Sequence, residues 1–168
     1  EIKALIPDGK GFWTSFWMVG TGVAGNSPIY NTELNIFECG GDASCFAPNL
    51  HRWPKIESPE YPKTSLDEQF LQMKKRFAPV GKTFNDDFHT YGLEWDENTM
   101  KFTCDGEVYF KYHNTGSIAD NACFTNQVYF IVSMAVGFLN NNVAAPDSTN
   151  DWENKNKLIV DYVHLYQL

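Results

Sequence analysis

Apolar and polar positions alternate, or cluster in short runs, along most of this chain, and the runs have the length of strands. Residues 1–6 alternate and then meet the turn cluster Pro7-Asp8-Gly9-Lys10-Gly11. Gly11 to Val19 is a dense apolar run of the length of a buried strand, and Gly20 to Pro28 reads as loop. A further strand-like run, Glu33-Leu34-Asn35-Ile36-Phe37-Glu38, carries three polar residues in an apolar frame. Phe46 to Pro62 holds Pro48, Pro54 and Pro59, which suits a strand or a long surface loop better than a helix. Phe88–Trp95 and Lys101–Asp105 read as strands joined by Asp96-Glu97-Asn98, and Asp105-Gly106 is a hairpin signal leading into Val108-Tyr109-Phe110. Gln127–Val136 reads as a buried strand. A polar loop follows, from Asn140-Asn141-Asn142 through Pro146–Glu153, and Leu158–Tyr166 alternates to the end. The one predicted helix spans residues 64–77, where Ser65 and Glu68 form a capping-box pattern and Leu66, Phe70, Met73 and Phe77 recur at helical spacing. Short strands separated by turn signals at regular spacing predict an all-β antiparallel sandwich in a single domain, residues 1–168.

Composition narrows the partners. The chain of 168 residues is long enough to bury a core, and 15% of it is aromatic, the residue class that both builds strands and stacks on sugar rings. A formal charge of −8 without a basic cluster excludes nucleic acid and anionic membrane surfaces as natural partners. No apolar run approaches the length of a membrane-spanning helix. Four cysteines, Cys39, Cys45, Cys104 and Cys123, allow three disulfide connectivities or four buried thiols, and the even number points towards secretion.

The run from Glu33 to Glu38 carries the candidate chemistry. Glu33 and Asn35 share one face of a strand, and strict alternation sends Glu38 to the other. A β-bulge near Ile36-Phe37 adds one residue and returns Glu38 to the first face. Two carboxyls on one face are what retaining glycoside cleavage requires, at a separation of about 5–5.5 Å.

Four stretches together resemble glycoside hydrolase family 16, the laminarinase and lichenase group with a concanavalin A-like jelly-roll. They are Gly11-Phe12-Trp13-Thr14-Ser15-Phe16-Trp17-Met18, the Glu33–Glu38 run, Phe88-His89-Thr90-Tyr91-Gly92-Leu93-Glu94-Trp95 with the Asp105-Gly106 turn, and Val160-Asp161-Tyr162-Val163-His164-Leu165-Tyr166. The resemblance implies a cleft on a concave antiparallel sheet and retaining, endo-acting hydrolysis of a linear polysaccharide. The Gly11–Met18 and Ala135-Val136-Gly137 stretches look most like those of enzymes that cleave β-1,3-glucan, with a mixed-linkage glucan the neighbouring choice. Carried over, Glu33 is the nucleophile, Glu38 the general acid/base and Asn35 the residue between them, normally Asp in the family.

Trp17, His51, Trp53, His89 and Trp95 are the expected cleft-lining residues, and Ser133 stands where the family often has a sugar-contacting Asn. Tyr30-Asn31-Thr32 replaces the Trp usual before the first glutamate. The chemistry needs no cofactor. The resemblance implies one structural calcium ion, with Asp161 as a ligand and further ligands from an N-terminal region that family members carry before the stretch corresponding to Glu1. By the same comparison the domain is expected to be N-terminally incomplete. A secreted monomer acting on polysaccharide is expected. The alternative reading is a carbohydrate-binding module of the same fold, non-catalytic or weakly active because of Asn35, and a structural sandwich whose aromatics are all core is the third.

Overall fold

The computed structural model describes the chain except residues 22–25, 57–59, 61–69, 73–74, 138–144 and 168. Eleven strands and one helix are defined among the described residues: β1 (Ile2–Leu5), β2 (Phe12–Gly20), β3 (Tyr30–Gly40), β4 (Cys45–Pro54), β5 (Phe70–Gln72), β6 (Arg76–Phe77), β7 (His89–Trp95), β8 (Thr99–Cys104), β9 (Glu107–His113), α1 (Ile118–Thr125), β10 (Val128–Val136) and β11 (Ile159–Val163). One sheet has the order β11-β1-β7-β8-β9. The other has β10-β2-β3-β4-β5, with β6 also paired to β4. Every pairing is antiparallel, so the predicted all-β antiparallel sandwich is the observed architecture.

The inner faces meet through large side chains. Phe16, Met18, Leu34, Phe37 and Leu50 from the six-stranded sheet pack with Ile2, Tyr91, Met100 and Phe102 from the other, all of them fully buried. Aromatic edges lock the centre: Phe37 meets Tyr91 at 4.4 Å between ring centroids, and Phe46 meets Tyr91 at 5.0 Å and Phe84 at 4.9 Å. Such pairs add about 0.5–1.5 kcal/mol each beyond their area.

Two elements depart from the expected pattern. Phe70–Gln72 and Arg76–Phe77 are strands paired to β4, where the apolar spacing predicted the second half of a helix over 64–77; residues 61–69 and 73–74 of that prediction lie outside the described residues. The free edge of β4 offers ladder hydrogen bonds that outweigh a local helical preference worth only tenths of a kcal/mol per residue. The helix that does form, α1, lies in a stretch where apolar periodicity is weak. Its signal is the spacing Ser117…Asp120: the Ser117 hydroxyl accepts from the Asp120 N–H at 3.1 Å, capping the first turn.

Asp120 also holds the helix against the sandwich. Its carboxylate, 1% exposed, accepts from Tyr112 Oη (2.7 Å) and from the Thr115 N–H (3.0 Å), and it pairs with Arg52 on β4 and with the Thr115 hydroxyl. Burial alone would raise this carboxyl's pKa; the hydrogen bonds from Thr115 and Tyr112 and the charge of Arg52 outweigh it and hold the group below the usual carboxylate range.

All four cysteines are free, so the expected disulfides are not formed. Cys39 donates its S–H to the Asp42 carbonyl at 3.4 Å, while Cys104 and Cys123 sit in separate surroundings, one beside Arg76 and Asp105, the other beside Arg52 and Asp120. Burial pushes the thiols of Cys39, Cys104 and Cys123 up to about 12.

Replacing Asp120 with Ala leaves the partly buried Arg52 guanidinium unpaired, and urea denaturation is expected to show a loss of about 3 kcal/mol. Because the folded carboxyl binds its proton less tightly than the unfolded one, the native chain keeps this contribution above about pH 4. It loses the contribution as pH falls through the depressed folded value, and the Asp120→Ala chain lacks that part of the acid transition.

Candidate active site

The outer face of the six-stranded sheet, turned away from the core, gathers the polar residues that the sequence singled out. Their placement rests on one irregularity in β3. Against β2, Asn35 pairs with Trp17 and Phe37 with Phe16, so Ile36 is an extra residue. Against β4, Asn35 pairs with Asn49 and Glu38 with Ala47, so Ile36 and Phe37 together face Pro48. This is the bulge expected near Ile36-Phe37. Pro48 suits the spot because it has no N–H to offer a ladder that is interrupted there. Ile36 and Phe37 are both buried in the core, 3% and 0% exposed, while Glu33, Asn35 and Glu38 share the outer face.

Strand register sets the neighbours, because cross-strand partners project from the same face. One row holds Val19, Glu33 and His51; the next holds Ile131, Trp17, Asn35 and Asn49; a third holds Ser133, Ser15, Glu38 and Ala47. Asn35 lies between the two glutamates and reaches both. Its Nδ2 donates to Glu33 Oε1 at 3.1 Å, and its amide also hydrogen-bonds Glu38. Trp13 Nε1 donates to Glu38 Oε1 at 3.2 Å, and Asn49 adds another hydrogen bond to the same carboxyl.

These contacts give the two carboxyls different proton affinities. Burial raises Glu33, opposed by the hydrogen bond from Asn35, which favours its charged form. Burial also raises Glu38; the Trp13 hydrogen bond opposes this, and the negative charge of Glu33 pushes the same way as burial. Both carboxyls are thus pushed above the usual carboxylate range, and the charge of Glu33 is the one push that Glu38 receives beyond burial.

Four of the surrounding residues, Trp17, Ser133, His51 and Trp53, lie on the same face as the glutamates. Trp17 Nε1 donates to Ser133 Oγ at 3.1 Å, fixing the indole beside Asn35. His51 stacks on Trp53, with ring centroids 5.5 Å apart, and its Nε2 lies 3.5 Å from Glu33 Oε1. Burial lowers the His51 pKa to about 4, so the imidazole is neutral and this contact is not an ion pair at neutral pH.

Two expected contacts are corrected. His89 and Trp95 lie on β7, in the other sheet, and do not join the glutamates. His89 Nδ1 is 2.7 Å from Asp105 Oδ2, and Trp95 ends its strand 40% exposed. The motif containing them places Tyr91 in the core instead. Trp13 and Asn49 were missed. Both were legible from alternation: Trp13 is four positions before Trp17 on β2, and Asn49 two before His51 on β4.

Asp161 on β11, expected as a calcium ligand, is ion-paired with the Lys3 side chain of β1 at 3.0 Å, both side chains partly exposed. Among the described residues it belongs to no group of three metal-ligating side chains. A carboxylate already facing an ammonium, and in no such group, does not fit an ion that takes six to eight oxygens.

The model of the family described as "Glycosyl hydrolases family 16" matches residues 1–163. The chain is 25% identical over 177 residues to the glucan endo-1,3-beta-glucosidase A1 of Niallia circulans, covering 99% of this chain and 24% of that protein. It is 27% identical over 179 residues to the clotting factor G alpha subunit of Tachypleus tridentatus, covering 99% of this chain and 22% of that protein. Among solved structures, the endo-beta-1,3-glucanase of Pyrococcus furiosus superposes with a TM-score of 0.70 at 25% identity, over 95% of this chain and 57% of that one. The chain thus spans about a quarter of the two curated relatives and little more than half of the solved structure.

Replacing Trp13 with Phe removes the donor to Glu38 while keeping an aromatic ring. The Glu38 titration, followed by carboxyl NMR, is expected to move upward, and an unchanged or lowered midpoint contradicts the electrostatic assignment. Deleting Ile36 removes a buried side chain and the bulge but restores strict alternation, so Glu38 stays on the outer face beside Glu33 and Asn35. A destabilised sandwich by thermal circular dichroism, with the Glu38 titration retained, is the expected result; loss of that titration contradicts the register.

Proposed function

This chain belongs to glycosyl hydrolases family 16, and on that premise we propose that it is a retaining, endo-acting glycosidase. Its substrate would be a linear β-1,3- or mixed-linkage glucan. The observation that carries the proposal is the Asn35 amide in contact with both glutamates on the open face of the sheet. Two carboxyls that share one small side chain are close enough to act on one glycosidic bond.

In this reading protonated Glu38 gives its proton to the departing glycosidic oxygen while Glu33 attacks the anomeric carbon and forms a glycosyl-enzyme ester. Glu38, now a carboxylate, takes a proton from water; the water oxygen attacks the same carbon and Glu33 leaves with its electron pair. Two inversions give net retention, and the chemistry draws on no cofactor. Trp17, held by Ser133, supplies an apolar surface for a sugar ring, and the His51–Trp53 pair supplies another edge beside Glu33. We read the site of action as extracellular, because an endo-acting enzyme meets an intact polysaccharide outside the cell.

Asn35 favours a second reading. An amide holds the shape of the site but cannot take up or release a proton as Glu38 cycles, so a sugar-binding protein of the same fold is the alternative.

Incubation with a panel of β-glucans, with product sizing and anomeric NMR, separates the two. The expected outcome is release of β-configured oligosaccharides from a β-1,3-glucan. It is reduced to background by Glu33→Gln and increased by Asn35→Asp, by up to about 10²–10⁴-fold, the range of a general acid–base contribution. Binding without cleavage by both the native and the Asn35→Asp chains selects the alternative.

A further inference from the structure

The β8–β9 hairpin brings together three side chains whose chemistry is unlike that of the glycan face. His89 opens β7, Cys104 closes β8, and Asp105 is the first residue of the turn. Asp105 is in the left-handed region at φ 52° and Gly106 follows at φ 80°, a pair of positive values that a two-residue hairpin turn requires. The Thr90 N–H donates to Asp105 Oδ1 at 2.9 Å, which turns the other oxygen inward. Oδ2 then lies 2.7 Å from His89 Nδ1 and 3.8 Å from Cys104 Sγ. One ligand atom from each of the three residues lies within 4.8 Å of the others.

A second, independent feature surrounds the thiol. Tyr91 is 0% exposed and its hydroxyl has no hydrogen-bond partner among the described residues; the Tyr109 hydroxyl is likewise unpartnered. Burial first, and then the charge of Cys104, raises both hydroxyls, with Asp105 adding to Tyr91, so both tyrosines lie in the neighbourhood of the cluster. Buried hydroxyls without partners are uncommon, and a bound ion with its coordinated water would provide acceptors and donors for them.

We propose that His89, Cys104 and Asp105 form a binding site for a divalent transition-metal ion of the zinc type. One imidazole nitrogen, one sulfur and one carboxylate oxygen form a donor set suited to zinc and its neighbours, and the sulfur selects against calcium and magnesium. Metal–ligand bonds of about 2.0–2.3 Å place tetrahedral ligand atoms roughly 3.3–3.8 Å apart. The sulfur–oxygen separation is already there, and the imidazole–carboxylate pair opens by about half an ångström to reach it.

Binding releases the Cys104 thiol proton to solvent, and His89 carries its remaining proton on Nε2 so that Nδ1 coordinates. Burial keeps the thiol protonated without a cation, pushing it up to about 12, while the adjacent Arg76 guanidinium favours the thiolate. Arg76 is itself paired with Glu107 at 2.9 Å, which offsets its repulsion of a cation. A bound ion would staple β7 to the β8–β9 hairpin. The site is remote in sequence from the Glu33–Glu38 run and lies on the other sheet, so it stands or falls separately from the glycosidase proposal.

The test is titration of the chelator-stripped full chain with Co²⁺, read by absorption, followed by Zn²⁺ competition. One equivalent of Co²⁺ is expected, with a thiolate-to-cobalt charge-transfer band that Zn²⁺ abolishes and that Cys104→Ser lacks. His89→Asn and Asp105→Asn are each expected to weaken Co²⁺ binding by about tenfold or more. Absence of the charge-transfer band in the native chain, or its survival in Cys104→Ser, overturns the proposal. If Cys104→Ser does not fold, the half-exposed Asp105→Asn decides the matter: unchanged Co²⁺ affinity overturns the site.

Discussion

One extra residue in a strand governs this molecule. A strand alternates its faces without choice, so a run reading Glu-x-Asn-x-x-Glu must either bury a carboxylate or break its register. Ile36 breaks it. Both apolar residues, Ile36 and Phe37, go inward, and Glu38 joins Glu33 and Asn35 on the outer face. The alternative, an ionised carboxyl on the core side beside Phe46 and Tyr91, is excluded by the several kcal/mol that an unpaired buried charge costs. Core packing and the candidate site are consequences of the same insertion.

Given that register, the electrostatics follow from neighbours instead of from the glutamates themselves. The two carboxyls are chemically identical and differ in what touches them: an amide donor at Glu33, and an indole N–H, two amides and a like charge at Glu38. Asn35 takes part in both environments. It can share hydrogen bonds with each carboxyl, but it cannot carry charge between them, so proton traffic would have to pass directly between Glu38 and the reacting groups.

The sequence was most readable where the pattern is enforced by burial. The β2 and β3 strands and the bulge follow from period-two alternation, because a slip of one residue would invert every side chain; Trp17, His51 and Trp53 are singled out by side-chain chemistry and Ser133 by the family resemblance. Legibility failed where long-range pairing overrode local preference. The Phe70–Gln72 and Arg76–Phe77 segments carry helical spacing but join β4, and α1 has too weak an apolar stripe to announce itself. His89 and Trp95 show a different failure. They lie in a stretch that resembles the family as strongly as β3 does, yet which of the two sheets receives that strand is a matter of topology, and alternation is silent about topology. Cysteine parity misled for a similar reason, since an even count says nothing about where each thiol is packed.

Arg52 and Asp120 are 68 residues apart in the chain. On β4 the Arg52 side chain projects to the inner side, between His51 and Trp53, which project to the outer one. The strand that presents those two rings is therefore clamped only after all of the chain between β4 and α1 has found its place. Closing so long a loop is among the slower steps available to a folding β protein. The outer edge at His51 and Trp53 should accordingly be among the last parts of the molecule to acquire its final geometry during folding, and among the first to lose it on unfolding.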